Sequence, residues 1–249
     1  VSQRQDRLAL LDRYIRIPTV SRTVTAAMIE EVRAFWRDLD LELELLPAPD
    51  GSGSPALFAE LAGPPGASSI LLYGHADVQP TGDPALWRWH HQPCAPFVPS
   101  YFLDGVQVDP ATLSDADLTR VEVVARGAAD NKGQHLANIL GALDAARAGT
   151  LRWTVKILLD TEEEHGSPSL RAICEHHRAR VQADLLIGSD GPKPRNQPAL
   201  LMGVRGLLGV DIVAENDQRA SVHSGNYGNI VPNPVLPLAR LVADIEARV

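Results

Sequence analysis

The sequence predicts an α/β fold, a mixed sheet flanked by helices on both faces, followed by the start of a second domain. Two observations predict the fold. Short apolar runs at 57–61, 70–73, 121–125, 153–159 and 185–187 alternate with stretches of helical period. His75, Glu163-Glu164 and Asp190 lie just past the ends of three of those runs, where open α/β sheets place their ligands. A composition shift after Pro198 marks the second domain, so the boundaries read 1–199 for the first domain and 200–249 for the beginning of the other.

In chain order, residues 5–16 carry Leu8, Leu11 and Ile15 at helical spacing, and Pro18 closes that helix. Residues 24–39 form a second helix, with Met28, Ile29, Val32 and Trp36 on one side. Residues 41–46 alternate apolar and acidic side chains, as a half-buried strand does. After the loop 47–55 come the strands 57–61 and 70–73. Residues 79–119 are rich in Pro, Trp and Asp without a period and read as a long surface loop. Strand 121–125, helix 132–148 and strand 153–159 follow. A helix over 168–180 is expected to start with Ser167 as N-cap and Pro168 at its first position. Strand 185–187 completes the first domain. Beyond it we expect a strand at 206–214, a polar Gly-rich loop at 216–229 and a helix at 231–248.

With 249 residues and 45% hydrophobic content the chain can bury a substantial core. A formal net charge of -8 argues against nucleic acid or an anionic membrane surface as partner. No apolar run approaches the ~20 residues of a membrane span, and no signal-peptide pattern opens the chain. Two cysteines, Cys94 and Cys174, make no disulfide framework, which favours a reducing, cytoplasmic setting. The chain opens on Val1 and ends on Val249 inside an expected helix, so we expect a segment of a longer protein.

One histidine and several carboxylates at strand ends describe a two-metal hydrolytic site. A pair of cations about 3.5–4 Å apart needs neutral imidazole, ionised carboxylates and at least one bridging acid. Asp130, between Gly127 and Gly133, His75, Asp190 and Glu164 supply candidates, and Glu163 would remain free as general base. Taken singly, each has an ordinary reading: a turn histidine, a solvated acid pair, an Asp-Gly turn. Their order and placement carry the metal-site reading. Three adjacent acids leave two registers for the pair, Glu162-Glu163 or Glu163-Glu164. His90-His91, His135, His165, His176 and the pair Cys174/His177 receive no role, and Lys132 and Arg126 are read as supports of the Asp130 loop. Neither a Gly-x-Ser-x-Gly nucleophile elbow nor a phosphate-cradling glycine loop is present.

The segments Gly74-His75-Ala76-Asp77-Val78-Gln79-Pro80, Arg126 through Gly133, Glu163-Glu164-His165-Gly166-Ser167 and Ser189-Asp190 resemble the co-catalytic zinc peptidases, a family of carnosinase-type dipeptidases, aminoacylases, acetylornithine deacetylases and succinyl-diaminopimelate desuccinylases. The resemblance implies two zinc ions, Mn or Co being able to serve, with Asp130 bridging, His75 and Asp190 on one metal and Glu164 on the other. It implies Glu163 as the base, which selects the Glu163-Glu164 register, and Asp77 as the residue that orients the His75 ring. It also implies a cis peptide after Asp130 and a ferredoxin-like α+β lid as the second domain. Ser221-Val222-His223-Ser224-Gly225 resembles a lid segment whose histidine, here His223, would reach the partner's active site in a homodimer.

The family pattern expects one more histidine downstream and a complete lid, so we expect the segment alone to hydrolyse little. The residues 98–125 exceed the usual link to the Asp130 motif. Val78-Gln79-Pro80 and the use of Asp at position 190 favour hydrolysis of a dipeptide. An N-acyl-amino-acid deacylase is the alternative within hydrolases, and a non-catalytic binding relative the alternative outside them.

Overall fold

The computed structural model describes residues 2–191, 199, 201–203, 206–215, 222–228 and 230–248. They divide into two compact units, 1–192 and 193–249.

The first unit opens with helix α1 (Gln3–Ile15), whose N-terminus carries a capping box between Ser2 and Gln5. Helix α2 (Ala26–Arg37) follows, capped by the Thr25 hydroxyl on the Met28 N–H. Strands β1 (Glu44–Leu46), β2 (Ala56–Leu61) and β3 (Ser69–His75) come next. Residues 79–126 hold the hairpin β4 (Arg88–Trp89) and β5 (Gln92–Pro93), then β6 (Ser100–Leu103), β7 (Val106–Gln107), the single turn α3 (Asp115–Leu118) and β8 (Glu122–Val124). Helix α4 (Gly133–Arg147), strand β9 (Thr154–Asp160), the short helices α5 (Leu170–His176) and α6 (Arg178–Val181), and strand β10 (Leu185–Gly188) complete the unit.

The main sheet has the order β1-β2-β9-β3-β10. β1, β2 and β9 pair antiparallel, whereas β9, β3 and β10 run parallel, so the expected mixed sheet is present. Alternation along the strands sorts the side chains onto two faces. Leu57, Ala59, Val155, Ile157 and Leu159 pack beneath α1, α2 and α4 with Tyr14, Val32, Trp36, Ile139 and Leu143. Ala56, Phe58 and Leu158 face the other way, against Ile173 of α5 and Val181 of α6. Helices on both faces thus bury the middle of the sheet, while β10 at its edge stays largely exposed. The parallel register sets His75 opposite Asp160 and Tyr73 opposite Gly188, which brings three strand ends to one edge.

Three sequence expectations are corrected here. The stretch 79–119 is not a structureless loop, because β6, β7 and β8 form a second, three-stranded sheet. Its strands are two to four residues long, too short to print a period. The signal was the dipeptide Asp104-Gly105, both with positive φ (51° and 82°), the hairpin turn that joins β6 to β7. The helix expected over 168–180 starts at Leu170 and breaks at His177. Ser167 does not cap it, because its hydroxyl donates to Asp160 (2.6 Å) and its backbone is left-handed (φ 50°).

In the second unit, α7 (Ser224–Tyr227) and α8 (Val235–Glu246) are the helices among the described residues. The strand expected at 206–214 is not formed. A strand exists through its ladder, and no described segment pairs with this one. Pro198 and Ser221, used above to mark the domain change and the His223 segment, lie outside the described residues, as do 216–221 and 229 of the expected polar loop. No helix of the described residues is long and apolar enough to cross a membrane.

Candidate metal centre

The segment that leaves β3 is extended, so His75, Asp77 and Gln79 follow one another at two-residue spacing. His75 is fully buried and is the last residue of the strand. Its Nδ1 lies 2.9 Å from the Asp77 carbonyl oxygen. A carbonyl only accepts, so Nδ1 carries a hydrogen and Nε2 is the atom able to offer a lone pair to a cation. Around Nε2 stand Asp130 Oδ1 at 3.0 Å, Asp190 Oδ2 at 3.4 Å and Glu163 Oε2 at 3.8 Å.

Asp130 sits in an irregular turn ahead of α4, and its bond to Asn131 is cis, as the resemblance implies. Asn131 is fully buried and joins the pieces. Its Oδ1 accepts from the His75 N–H (3.0 Å) and from His135 Nδ1 (2.8 Å), and its Nδ2 donates to the Ser189 carbonyl (3.1 Å). His135 in turn accepts from the Tyr14 hydroxyl (2.9 Å). Beneath the turn, buried Lys132 donates from Nζ to the carbonyls of Tyr14 and Ile17 (3.1 and 2.6 Å). It supports the loop, as read from the sequence.

The acid pair lies on the turn after β9. The Asp77 carboxylate accepts the backbone N–H groups of both Glu163 (3.1 Å) and Glu164 (3.2 Å). Gln79 grips Glu164 twice, its N–H on Oε1 and its side-chain amide on the Glu164 carbonyl, both at 2.9 Å. Glu162 points elsewhere. It is buried, and its Oε1 accepts from the Ser54 N–H (2.9 Å). Asp77 therefore touches His75 chiefly through its backbone, its carboxylate being 3.6 Å from Nδ1 and committed to the acid turn.

Among the described residues, one nitrogen or oxygen from each of His75, Asp130 and Asp190 falls within 4.8 Å of the others, a group able to hold a metal ion. Glu163 stands beside it, and Glu164 stands outside it. The electrostatics suit a cation. Burial presses the His75 imidazole toward its neutral form, but hydrogen bonds to Asp77 and the nearby carboxylates outweigh it and lift the group to about 9. Burial raises the Glu163 carboxyl; His75 opposes, and Asp190, Glu164 and Asp77 add to the rise. Burial raises Glu164 as well, Gln79 opposing and Asp130 adding. Carboxylates crowded round one imidazole repel each other until a cation joins them. The donor set, one imidazole nitrogen with carboxylate oxygens, fits zinc and also Mn or Co.

His223 lies in the second unit, at the N-terminus of α7, where its Nδ1 accepts from the Gly225 N–H (3.0 Å). Sequence reasoning missed Asn131, His135, Gln79 and Asp160. Each acts through hydrogen bonds that its own motif does not specify, to backbone groups or side chains set by the fold. The apolar strand stopping at Asp160 was visible, but not that its carboxylate turns back into the chain.

A model of the family described as Peptidase family M20/M25/M40 matches residues 71–223. The chain is 31% identical to a Beta-Ala-His dipeptidase of Mus musculus over 89% of its own length and 42% of the relative's. It is 26% identical to a probable di- and tripeptidase of Saccharomyces cerevisiae, covering 97% of itself and 27% of that protein. The crystal structure of human carnosine dipeptidase 1 shares the fold, with a TM-score of 0.58 at 20% identity over 96% of this chain and 49% of that one. The chain spans less than half the length of these relatives.

Proposed function

Because the chain belongs to peptidase family M20/M25/M40, we propose that it carries the catalytic half of a metal-dependent dipeptidase with a two-metal site. The observation that supports this reading most is the convergence of His75 at the end of β3, Asp130 on the turn ahead of α4 and Asp190 just past β10, with Glu163 at 3.8 Å from the same imidazole nitrogen. His75 and Asp190 would hold one metal, Glu164 the other, and Asp130 would bridge them. When bound, such a pair activates water and polarises the scissile carbonyl. Zinc is the metal we propose, with Mn or Co as substitutes.

The chain's own residues supply the rest. Asp77 draws the backbone of Glu163 and Glu164 toward the cluster by two hydrogen bonds. Gln79 holds one oxygen of Glu164 and leaves the other free. Glu163 takes a proton from the attacking water and returns it to the leaving amine. Burial raises its carboxyl, which favours its holding the proton it takes. His223 of a partner subunit would donate to the developing oxyanion, in a homodimer built through the lid. A small peptide is the proposed substrate, in keeping with the dipeptidase names of the relatives, and the cytoplasm the proposed location, in keeping with two free cysteines.

The test is a side-by-side assay of the full-length, zinc-loaded protein, of which this chain is expected to be a segment, on dipeptides and on N-acetyl and N-succinyl amino acids. Faster turnover of dipeptides, lost in Glu163→Gln, is the expected result. Faster turnover of acylated amino acids makes the protein a deacylase. Inertness toward both classes with metal bound makes it a binding relative.

A further inference from the structure

The turn that carries the acid pair is closed at its base by a residue the proposed chemistry does not use. Asp160 is buried, the last residue of β9, directly across the parallel ladder from His75. Its carbonyl oxygen accepts the Ala76 N–H at 2.7 Å, which ties the two strand ends together. Its side chain turns back into the chain. Oδ1 accepts the Glu162 N–H (3.0 Å), and Oδ2 accepts the Ser167 hydroxyl (2.6 Å) and, more weakly, the Tyr73 hydroxyl (3.5 Å). The Ser167 N–H closes the same loop on the Glu162 carbonyl (2.9 Å). One carboxylate thus fastens both ends of 162–167, while Asp77 pulls on the middle at Glu163 and Glu164. Ser167 needs the tether, since its left-handed backbone is one that a serine adopts at a cost.

We propose that Asp160 is a positioning residue: by fastening Glu162 and Ser167 it shapes the turn so that Glu163 and Glu164 face the metal cluster. This rests on the two-metal reading for its consequence but not for its geometry. Every group that meets the carboxylate is a donor, so any side chain able to accept from Glu162 and engage Ser167 can stand in. Asparagine qualifies. Its Oδ1 keeps the Glu162 N–H, and its amide donates to Ser167, whose hydroxyl can rotate to accept. Alanine can do neither.

The experiment compares wild type, Asp160→Ala, Asp160→Asn and Ser167→Ala as the 249-residue chain, reading amide hydrogen exchange and the visible spectrum and affinity of added cobalt(II). In Asp160→Ala the amides of Glu162, Glu163, Glu164 and Ser167 are expected to exchange at least about tenfold faster while β9 keeps its protection. Cobalt affinity falls about 10- to 100-fold, the usual effect of losing a residue that braces a ligand. Asp160→Asn recovers most of both, and Ser167→Ala falls between. Wild-type exchange in the turn of Asp160→Ala overturns the proposal, as does a loss of protection that is equal in β9 and the turn. Should Asp160→Ala fail to fold, Ser167→Ala decides: a turn unchanged in that variant overturns the proposal. A wild-type chain that binds no cobalt overturns the two-metal reading instead, and the exchange comparison still decides the role of Asp160.

Discussion

Asn131→Ala is the perturbation whose size the structure defines best. Asn131 is fully buried, and its one carboxamide serves three segments: the end of β3, helix α4 and the residues after β10. Truncation leaves the His75 N–H and the His135 Nδ1–H without their acceptor in a buried site. The Ser189 carbonyl also loses its donor, but it is half-exposed and water can replace it. Two stranded donors cost about 1–3 kcal/mol each, so we expect a loss of about 2–6 kcal/mol. That is a large share of the ~5–15 kcal/mol that holds a typical domain together. The assay is urea unfolding followed by tryptophan fluorescence, with buried Trp36 among the reporters, and hydrogen exchange at the His75 amide. A loss below about 1 kcal/mol with the His75 amide still protected would refute the reasoning, because the two donors would then have found other partners.

Other outcomes follow from the same geometry. In the active protein, Glu163→Gln should lower turnover by roughly 10²- to 10⁴-fold. Glu162→Gln should leave turnover within a few-fold, since Gln keeps the acceptor for Ser54 and Glu162 Oε2 has no partner to lose; the opposite ranking restores the other register. Zinc at about 100 times its dissociation constant should add about 2.7 kcal/mol to the unfolding free energy, an increment that disappears in His75→Ala; an equal increment in that variant puts the metal elsewhere. Burial among Tyr14, Lys132 and His75 holds His135 well below the usual imidazole range. Below about pH 6.5 the unfolded chain therefore takes up a proton that the folded one refuses; His75, lifted to about 9, opposes this near pH 6.5, where its unfolded form is still taking up its proton, and is charged in both states only below about pH 5.5. Stability of the metal-free chain should fall from pH 6.5 to 5.5 by up to ~1.4 kcal/mol per unit from this group, and the slope should shrink in His135→Gln; an unchanged slope would show that His135 does not supply it.

Much of the fold was legible in the sequence because β2, β3, β9 and β10 are long or apolar enough to declare themselves. His75, Asp130 and Asp190 were legible because each lies at or near the end of an element, within a motif or turn that the sequence displays. The parts that were not legible are non-local. The sheet of β6, β7 and β8 is assembled from fragments too short for a period, and it betrayed itself only at Asp104-Gly105. The helix at 168–180 was misplaced because Ser167 answers to Asp160, seven residues upstream, and not to the helix it precedes. Residues 206–214 have a strand's composition, but composition cannot supply a neighbouring strand. The hydrogen bonds of Asn131 to His75 and Ser189 and of Gln79 to Glu164 join residues 56 to 85 positions apart, beyond the reach of any local pattern.

The most direct measurement is anomalous diffraction from crystals of the chain grown with zinc. The account predicts a peak within about 2.0–2.2 Å of His75 Nε2 and of carboxylate oxygens of Asp130 and Asp190, with a second peak between Asp130 and Glu164. Zinc found elsewhere, or a density map with no peak beside His75 at saturating metal, would contradict it.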